Sequence, residues 1–174
     1  MTRKDLLLEV YPTSTIGHTV DVAPENIPDY LKARPQWVNW AHEQRDGKLT
    51  KVPYSPVTER RASTTDLLTW ATFEAALATF ELGKYAGLGF VFCSADPFVG
   101  IDFDHCRNPE TGQVDPRVLE YIERFEDRYV EVSVSGTGAH LITRGKIKGG
   151  AKKGKYELYD QDRFFTVTGV LLDA

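Results

Sequence analysis

The sequence predicts an α+β domain: a mixed or antiparallel sheet with a split β-α-β core, helices packed on one face and the other face open for a substrate. Three observations carry this. Short stretches with period-two alternation recur in pairs joined by turn residues. Two stretches with apolar residues at helical spacing lie between them. A chain of 174 residues, 41% hydrophobic and 11% aromatic, has the length and apolar content for one well-buried domain and not for two.

Residues 1–25 mix Thr and Pro with weak periodicity and read as an N-terminal arm, with the domain proper over 26–174. Glu25 to Ala33 reads as a short helix entering at Pro28, where a missing N–H costs nothing. Gln36 to Trp40 alternates as a strand. Asp46-Gly47 then marks a two-residue hairpin, so Leu49 to Tyr54 returns antiparallel, with Pro53 suited to an edge. Asp66 is placed to cap a helix in which Trp70, Phe73, Leu77 and Phe80 recur at helical spacing, with Gly83 beyond its end. Leu88 to Phe92 is a continuous apolar run, read as a buried strand, and Phe98 to Asp104 is expected as its hairpin partner across Ser94 to Pro97. Asp115-Pro116 supplies the N-cap and first position of a second helix, with Val118, Leu119, Ile122 and Phe125 as its stripe. Val130 to Ser135 alternates valine with polar residues and turns through Gly136-Thr137-Gly138 into Ala139 to Thr143. Tyr156 to Tyr159 and Phe164 to Thr168 are the last strands.

Several classes are set aside by composition. No apolar run approaches membrane-spanning length and Met1 to Leu8 has no signal-peptide pattern, so a cytoplasmic protein without membrane contact is expected. The two cysteines, Cys93 and Cys106, lack CxxC spacing, which argues against a disulfide framework and a zinc module. With a formal charge of −4, nucleic acid would have to be met by a local patch, and Arg144 to Lys155 offers one: six basic residues and no acid, interleaved with glycines.

Three segments carry chemistry. In Gly100-Ile101-Asp102-Phe103-Asp104, strand alternation puts Gly100, Asp102 and Asp104 on one face and the apolar pair on the other. Two carboxylates so close repel unless a cation lies between them, and magnesium or manganese would take their oxygens and leave positions for substrate phosphates. In Ser133 to His140 the glycines and hydroxyls can turn backbone N–H groups toward an anion, with His140 emerging just after them. In Lys155 to Gly169, Glu157 could supply a third oxygen ligand and Arg163 could fork onto phosphate. Each has an ordinary alternative: solvated acids at a strand end, a glycine-rich hairpin with a hydrogen-bonded histidine, a surface glutamate in a salt bridge, an arginine paired with Asp160 or Asp162.

In this order the three segments resemble the motifs of the archaeo-eukaryotic primase superfamily, in particular the primase-polymerase modules of phage and plasmid replication proteins. The resemblance runs from about Ile27 to Gly169 and takes in Lys51-Val52-Pro53-Tyr54 and Arg163 to Gly169. It implies an RRM-like core with the catalytic site on the open sheet face, and transfer of nucleotides from NTPs and dNTPs to a 3′-hydroxyl on a single-stranded DNA template, with release of pyrophosphate. By resemblance, the catalytic set is Asp102, Asp104, His140 and Glu157. Asp102, Asp104 and Glu157 would hold two magnesium or manganese ions. Ser135, Gly136, Thr137, Gly138, His140, Arg163 and Lys51 would bind the nucleotide, and the Arg144 to Lys155 loop its phosphates or the template's. The resemblance also implies a longer replication protein, with a helicase domain or subunit as partner. One position departs from the pattern: Gly138 stands where many members carry serine, and Ser135 is the expected substitute. Two other readings use the same residues, a metal-dependent nuclease and a non-catalytic platform for single-stranded nucleic acid. The acids on the face weigh against the platform, since without metal they repel phosphate.

Overall fold

Two antiparallel sheets, not one, make up the computed structural model of this protein, which describes residues 20–147 and 151–173. In chain order, a 3₁₀ turn (Pro24–Asn26) and the single-turn α1 (Asp29–Lys32) lead into β1 (Trp37–Arg45) and β2 (Lys48–Tyr54). A second 3₁₀ turn (Leu67–Thr69) and α2 (Phe73–Glu81) precede β3 (Gly87–Phe92) and β4 (Phe98–Phe103). Then come α3 (Pro116–Ile122), β5 (Arg128–Val132), β6 (Ala139–Arg144), β7 (Ala151–Lys153), β8 (Tyr156–Tyr159) and β9 (Arg163–Val167). The strand orders are β2-β1-β3-β9 and β5-β6-β4-β8-β7.

The β1–β2 hairpin follows its turn residues: Asp46 and Gly47 both take positive φ, 49° and 76°, as a tight primed turn requires. Pro53 lies on the edge strand β2, opposite Trp40. The expected β3–β4 hairpin does not form, because β3 pairs with β1 and β9 while β4 pairs with β6 and β8. The cause is Asp96. Buried in the connecting turn, it accepts the N–H of Cys93 at 2.9 Å, the N–H of Phe98 at 2.7 Å and Gln36 Nε2 at 2.6 Å. The turn thus closes on a side chain instead of a ladder, and the chain crosses from one sheet to the other.

Helix α2 begins later than its stripe suggests. Asp66 caps only the 3₁₀ turn, accepting from Leu68 N, and Thr72 is the N-cap of α2, accepting from Ala75 N. Asp115 and Pro116 start α3 as expected, with Asp115 accepting from Arg117 N. Both β4 and β5 run antiparallel to β6 between them, so they share a direction, and α3 is the crossover of a split β-α-β unit.

Alternation divides the five-stranded sheet into two faces. Val99, Ile101, Phe103, Ala139 and Leu141 pack against Val118 and Ile122 of α3. Phe98 and Ile142 join Leu88, Phe90, Phe92, Phe165 and Val167 of the other sheet, with Trp37, Phe73 and Ala76 completing that core. The face expected to be open is therefore covered by the four-stranded sheet. Glycine permits the close approach: a β-carbon at Gly100 would lie 2.5 Å from the Phe92 ring and 2.6 Å from that of Phe165.

Residues 1–19 of the expected arm lie outside the described residues. From Val20 the backbone is docked, Val20 N–H bonding Ala86 O and Ala23 N–H bonding Thr168 O. Of the basic stretch, residues 148–150 also lie outside, and Ala151–Lys153 form an edge strand, not a loop.

Candidate active site

The register of the five-stranded sheet sets four ionisable side chains in one row. Glu131 of β5 is opposite His140 of β6, His140 opposite Asp102 of β4, and Asp102 opposite Glu157 of β8. Directly opposed residues of antiparallel strands share a face, here the face turned toward the four-stranded sheet. A cleft of about 280 Å³ opens at this row, where the second sheet ends, lined by Lys51, Asp102, His140, Glu157, Tyr159, Arg163, Phe164, Phe165 and Thr166. Residues expected from distant segments thus meet: Lys51, Asp102, His140, Glu157 and Arg163.

Exposure is graded along the row. The Glu131 side chain is fully buried, His140 is 9% exposed and Asp102 26%. The His140 ring stacks on Phe165, centroids 4.8 Å apart. Its Nδ1 lies 3.3 Å from Glu131 Oε1 and 3.1 Å from the carbonyl of Thr166, while Nε2 faces Asp102 Oδ1 at 3.8 Å. Glu131 was not singled out in the sequence, where it belongs to the polar half of an alternating strand. Its register opposite His140 was implicit in the β5–β6 hairpin; its burial was not. Beside it, burial and the neighbouring Glu131 carboxylate push the Tyr129 phenol far above its ordinary pKa.

Glu157 accepts a hydrogen bond from Tyr159 OH, on the same strand face. Lys51 reaches the cleft from the edge strand, with Nζ 5.5 Å from the Trp40 ring centre. Burial lowers its ammonium pKa from the usual lysine value, opposed by the charges of Asp102, Glu131 and Asp104. Arg163 stands over the Tyr159 ring, 5.3 Å from its centre, and does not pair with Asp160, whose Oδ2 accepts from Ile147 N. Arg163 and Phe164 also line a neighbouring groove of about 450 Å³ with Pro53, Ala62, Ser63, Thr64 and Asp162.

Asp104 follows β4 in a turn, exposed, its N–H bonded to Lys155 O at 2.9 Å, and does not line the cleft. Among the described residues no three His, Cys, Asp or Glu side chains form a ready-made metal set, so Asp102, Asp104 and Glu157 are not gathered as one. The donors present still suit magnesium or manganese, which are bound by one or two carboxylates and completed by substrate phosphates and water. Asp102 and Glu157, neighbours across β4 and β8 in the cleft, are such a pair.

In the turn 133–138 three backbone N–H groups face acceptors of the same turn. Gly136 N–H bonds Ser133 O at 2.8 Å, Gly138 N–H bonds Ser133 Oγ at 3.1 Å and Thr137 N–H points to Ser135 Oγ at 3.4 Å. Arg107 clamps the turn from outside, its Nη1 on Gly136 O and its N–H on Thr137 O, both 2.9 Å. Ser135, Gly136, Thr137 and Gly138 do not line the cleft; they hold the β5–β6 hairpin that positions His140. Gly138 has a steric reason: a β-carbon there would stand 2.6 Å from the Phe103 carbonyl and 3.1 Å from Ser133 Oγ. The hydroxyl beside that position is that of Ser133, not of Ser135. Cys106 is buried, and burial raises its thiol pKa, which makes it a packing residue.

The cleft between the two antiparallel sheets thus combines two carboxylates and a histidine from the five-stranded sheet with Lys51 and Arg163 from the four-stranded one. Among proteins of known activity, the chain is similar to a DNA primase-polymerase of Nitratiruptor phage NrS-1, with 37% identity over 151 residues. The match covers 83% of this chain and 20% of the phage protein, so the chain spans about a fifth of the length of that relative. This is a relationship to a primase-polymerase. No family model matches the chain. Among the described residues, no helix is long and apolar enough to cross a membrane.

Proposed function

We propose that this chain carries the nucleotidyl-transfer centre of a DNA primase-polymerase acting in phage or plasmid replication, with the split β-α-β sheet as its RRM-like half. The observation that carries the reading is the row His140–Asp102–Glu157 in the inter-sheet cleft, lined also by Lys51 and Arg163, with Glu131 buried behind His140. Similarity to a phage primase-polymerase over 83% of the chain supports it.

In this reading Asp102 and Glu157 hold magnesium or manganese, with Asp104 near enough for its charge to reach Lys51 and contribute to the same field. The ions would neutralise phosphate charge and make the attacking 3′-hydroxyl easier to deprotonate. The protein groups do the rest. His140 turns Nε2 into the cleft, and Lys51 and Arg163 bring positive charge from the other sheet to offset what builds up as pyrophosphate leaves. Phe165 and the closely packed sheets exclude water behind the row. NTPs, dNTPs and single-stranded DNA template are the substrates, and a helicase domain or subunit is the partner.

The test supplies single-stranded template, both nucleotide types and magnesium or manganese, with and without primer, and resolves products by length. Extended products are expected from the wild type, reduced about 10²–10³-fold by Asp102→Ala, the loss typical of removing a transition-state charge stabiliser. Equal products from both chains, or none from either, reject the reading. Shortened DNA without extension would assign the site to a nuclease.

A further inference from the structure

We infer that Glu131 is a positioning residue, which fixes the ring and the tautomer of His140 so that Nε2, and not the protonated Nδ1, faces the cleft. The inference rests on the nucleotidyl-transfer reading for its consequence, but not for its geometry. A fully buried carboxylate is costly unless its oxygens are satisfied. Here Oε2 accepts from Tyr129 OH at 2.6 Å, Thr168 N at 2.7 Å, Gly169 N at 3.0 Å and Thr168 Oγ1 at 3.2 Å. Those donors come from β5 itself and from the segment just past β9. Gly169 supplies its N–H at φ 77°, and a β-carbon there would lie 2.1 Å from Ala23 O, so no other residue brings that donor to this point.

With Oε2 committed, Oε1 is left for His140. The two atoms facing His140 Nδ1, Glu131 Oε1 and the Thr166 carbonyl, are both acceptors. Nδ1 must therefore carry a proton, and in the neutral ring the lone pair sits on Nε2, which at 3.8 Å is beyond hydrogen-bond distance of Asp102 Oδ1. Phe165 stacked on the ring fixes its plane. This is the arrangement by which a second polar group orients a functional histidine. It also explains why Thr168 and Gly169, which touch nothing in the cleft, belong to the same stretch as Arg163.

A purely structural role, in which Glu131 only joins β5 to the end of β9, makes different predictions. Glu131→Gln separates them. Two backbone N–H groups hold the Oε2 position as an acceptor, so the glutamine oxygen takes that place and its amide NH₂ faces Nδ1. Ring nitrogens are read by long-range ¹H–¹⁵N correlation on the labelled 174-residue chain at alkaline pH, where imidazole is ordinarily neutral, with His140 assigned among the 4 histidines by its loss in His140→Gln. The expected result is Nδ1–H in the wild type and a shift toward Nε2–H in Glu131→Gln. In primer extension, Glu131→Gln should lower kcat by about 10–100-fold, with nucleotide KM changing less, and cause no further loss in a His140→Gln background. A wild-type ring protonated at Nε2, or losses that multiply in the double variant, would overturn the inference. Should Glu131→Gln not fold, Tyr129→Phe, which removes one donor to the carboxylate, decides through the same cycle. Absence of product from the wild type overturns only the nucleotidyl-transfer reading, since the ring signals need no substrate.

Discussion

Strands β3 and β4 are consecutive, six residues each and central in their sheets, yet one carries only core and the other carries the site. β3 is buried from end to end: Leu88, Phe90 and Phe92 enter the main core, and Gly87 and Gly89 let Trp40 and Phe164 close onto its back. β4 presents Val99, Ile101 and Phe103 to α3 in the same way. Its other face changes character along its length. Phe98 and Gly100 lie beneath the second sheet, and Asp102, two residues on, stands in the cleft. The difference teaches that this site is not a property of a strand or a face. It arises where one sheet stops covering the other, so that packing is provided by one end of a strand and charge by the other.

Exchanging damage between the two strands is the sharpest way to break that contrast. Phe90→Ala removes a ring in edge contact with Trp37, Phe92 and Phe98 and should cost about 3–5 kcal/mol of stability, read as a lower denaturant midpoint. Asp102→Asn should do the reverse, with stability within about 1 kcal/mol of wild type and extension down about 10²–10³-fold. A stability loss from Asp102→Asn as large as that from Phe90→Ala would show that β4, too, serves packing alone. A smaller effect is expected of Gly138→Ser, which introduces the serine of the motif this turn resembles but sets a β-carbon against the Phe103 carbonyl. Overpacking there should cost about 1–3 kcal/mol and blunt activity through the end of β4. An unchanged midpoint would mean that the hairpin yields and that the glycine is not sterically required. Smallest is Lys51→Met. Burial depresses the lysine's pKa, so below that folded-state value the charged form is disfavoured relative to the unfolded chain, and methionine should leave stability at neutral pH equal or slightly higher. Nucleotide KM should rise about tenfold, the worth of one charge-assisted contact. A clear loss of stability would show that Lys51 serves the four-stranded sheet and not the cleft.

Most secondary structure could be read directly because its causes are local. Asp46-Gly47 dictates a primed turn, Asp115-Pro116 a helix start, and the alternation at 100–104 puts Asp102 on the face opposite Ile101 and Phe103. The early start expected for α2 failed because Trp70 fits the helical stripe but is the extended residue that closes the 3₁₀ turn, its indole N–H bonded to Ser63 O. The turn at 133–138 reads in the sequence as an anion nest, while in the structure serine oxygens of the same turn face the N–H groups of Gly136, Thr137 and Gly138.

By itself, then, the sequence determined the kinds of element and the face of β4 on which Asp102 stands, since these follow from spacing along a single chain, and the resemblance drew Asp102, His140 and Glu157 together, which the register sets side by side. Only the tertiary structure decided that there are two sheets, that Asp104 falls outside the cleft, that Lys51 and Arg163 face the row from the other sheet, and that Glu131 stands buried behind His140. The physical reason is that burial and hydrogen-bond partnership are set by what the rest of the chain brings alongside. Past the turn that Asp96 holds, β4 pairs with β6 and β8 and not with β3. No local period contains that decision, and it creates the cleft.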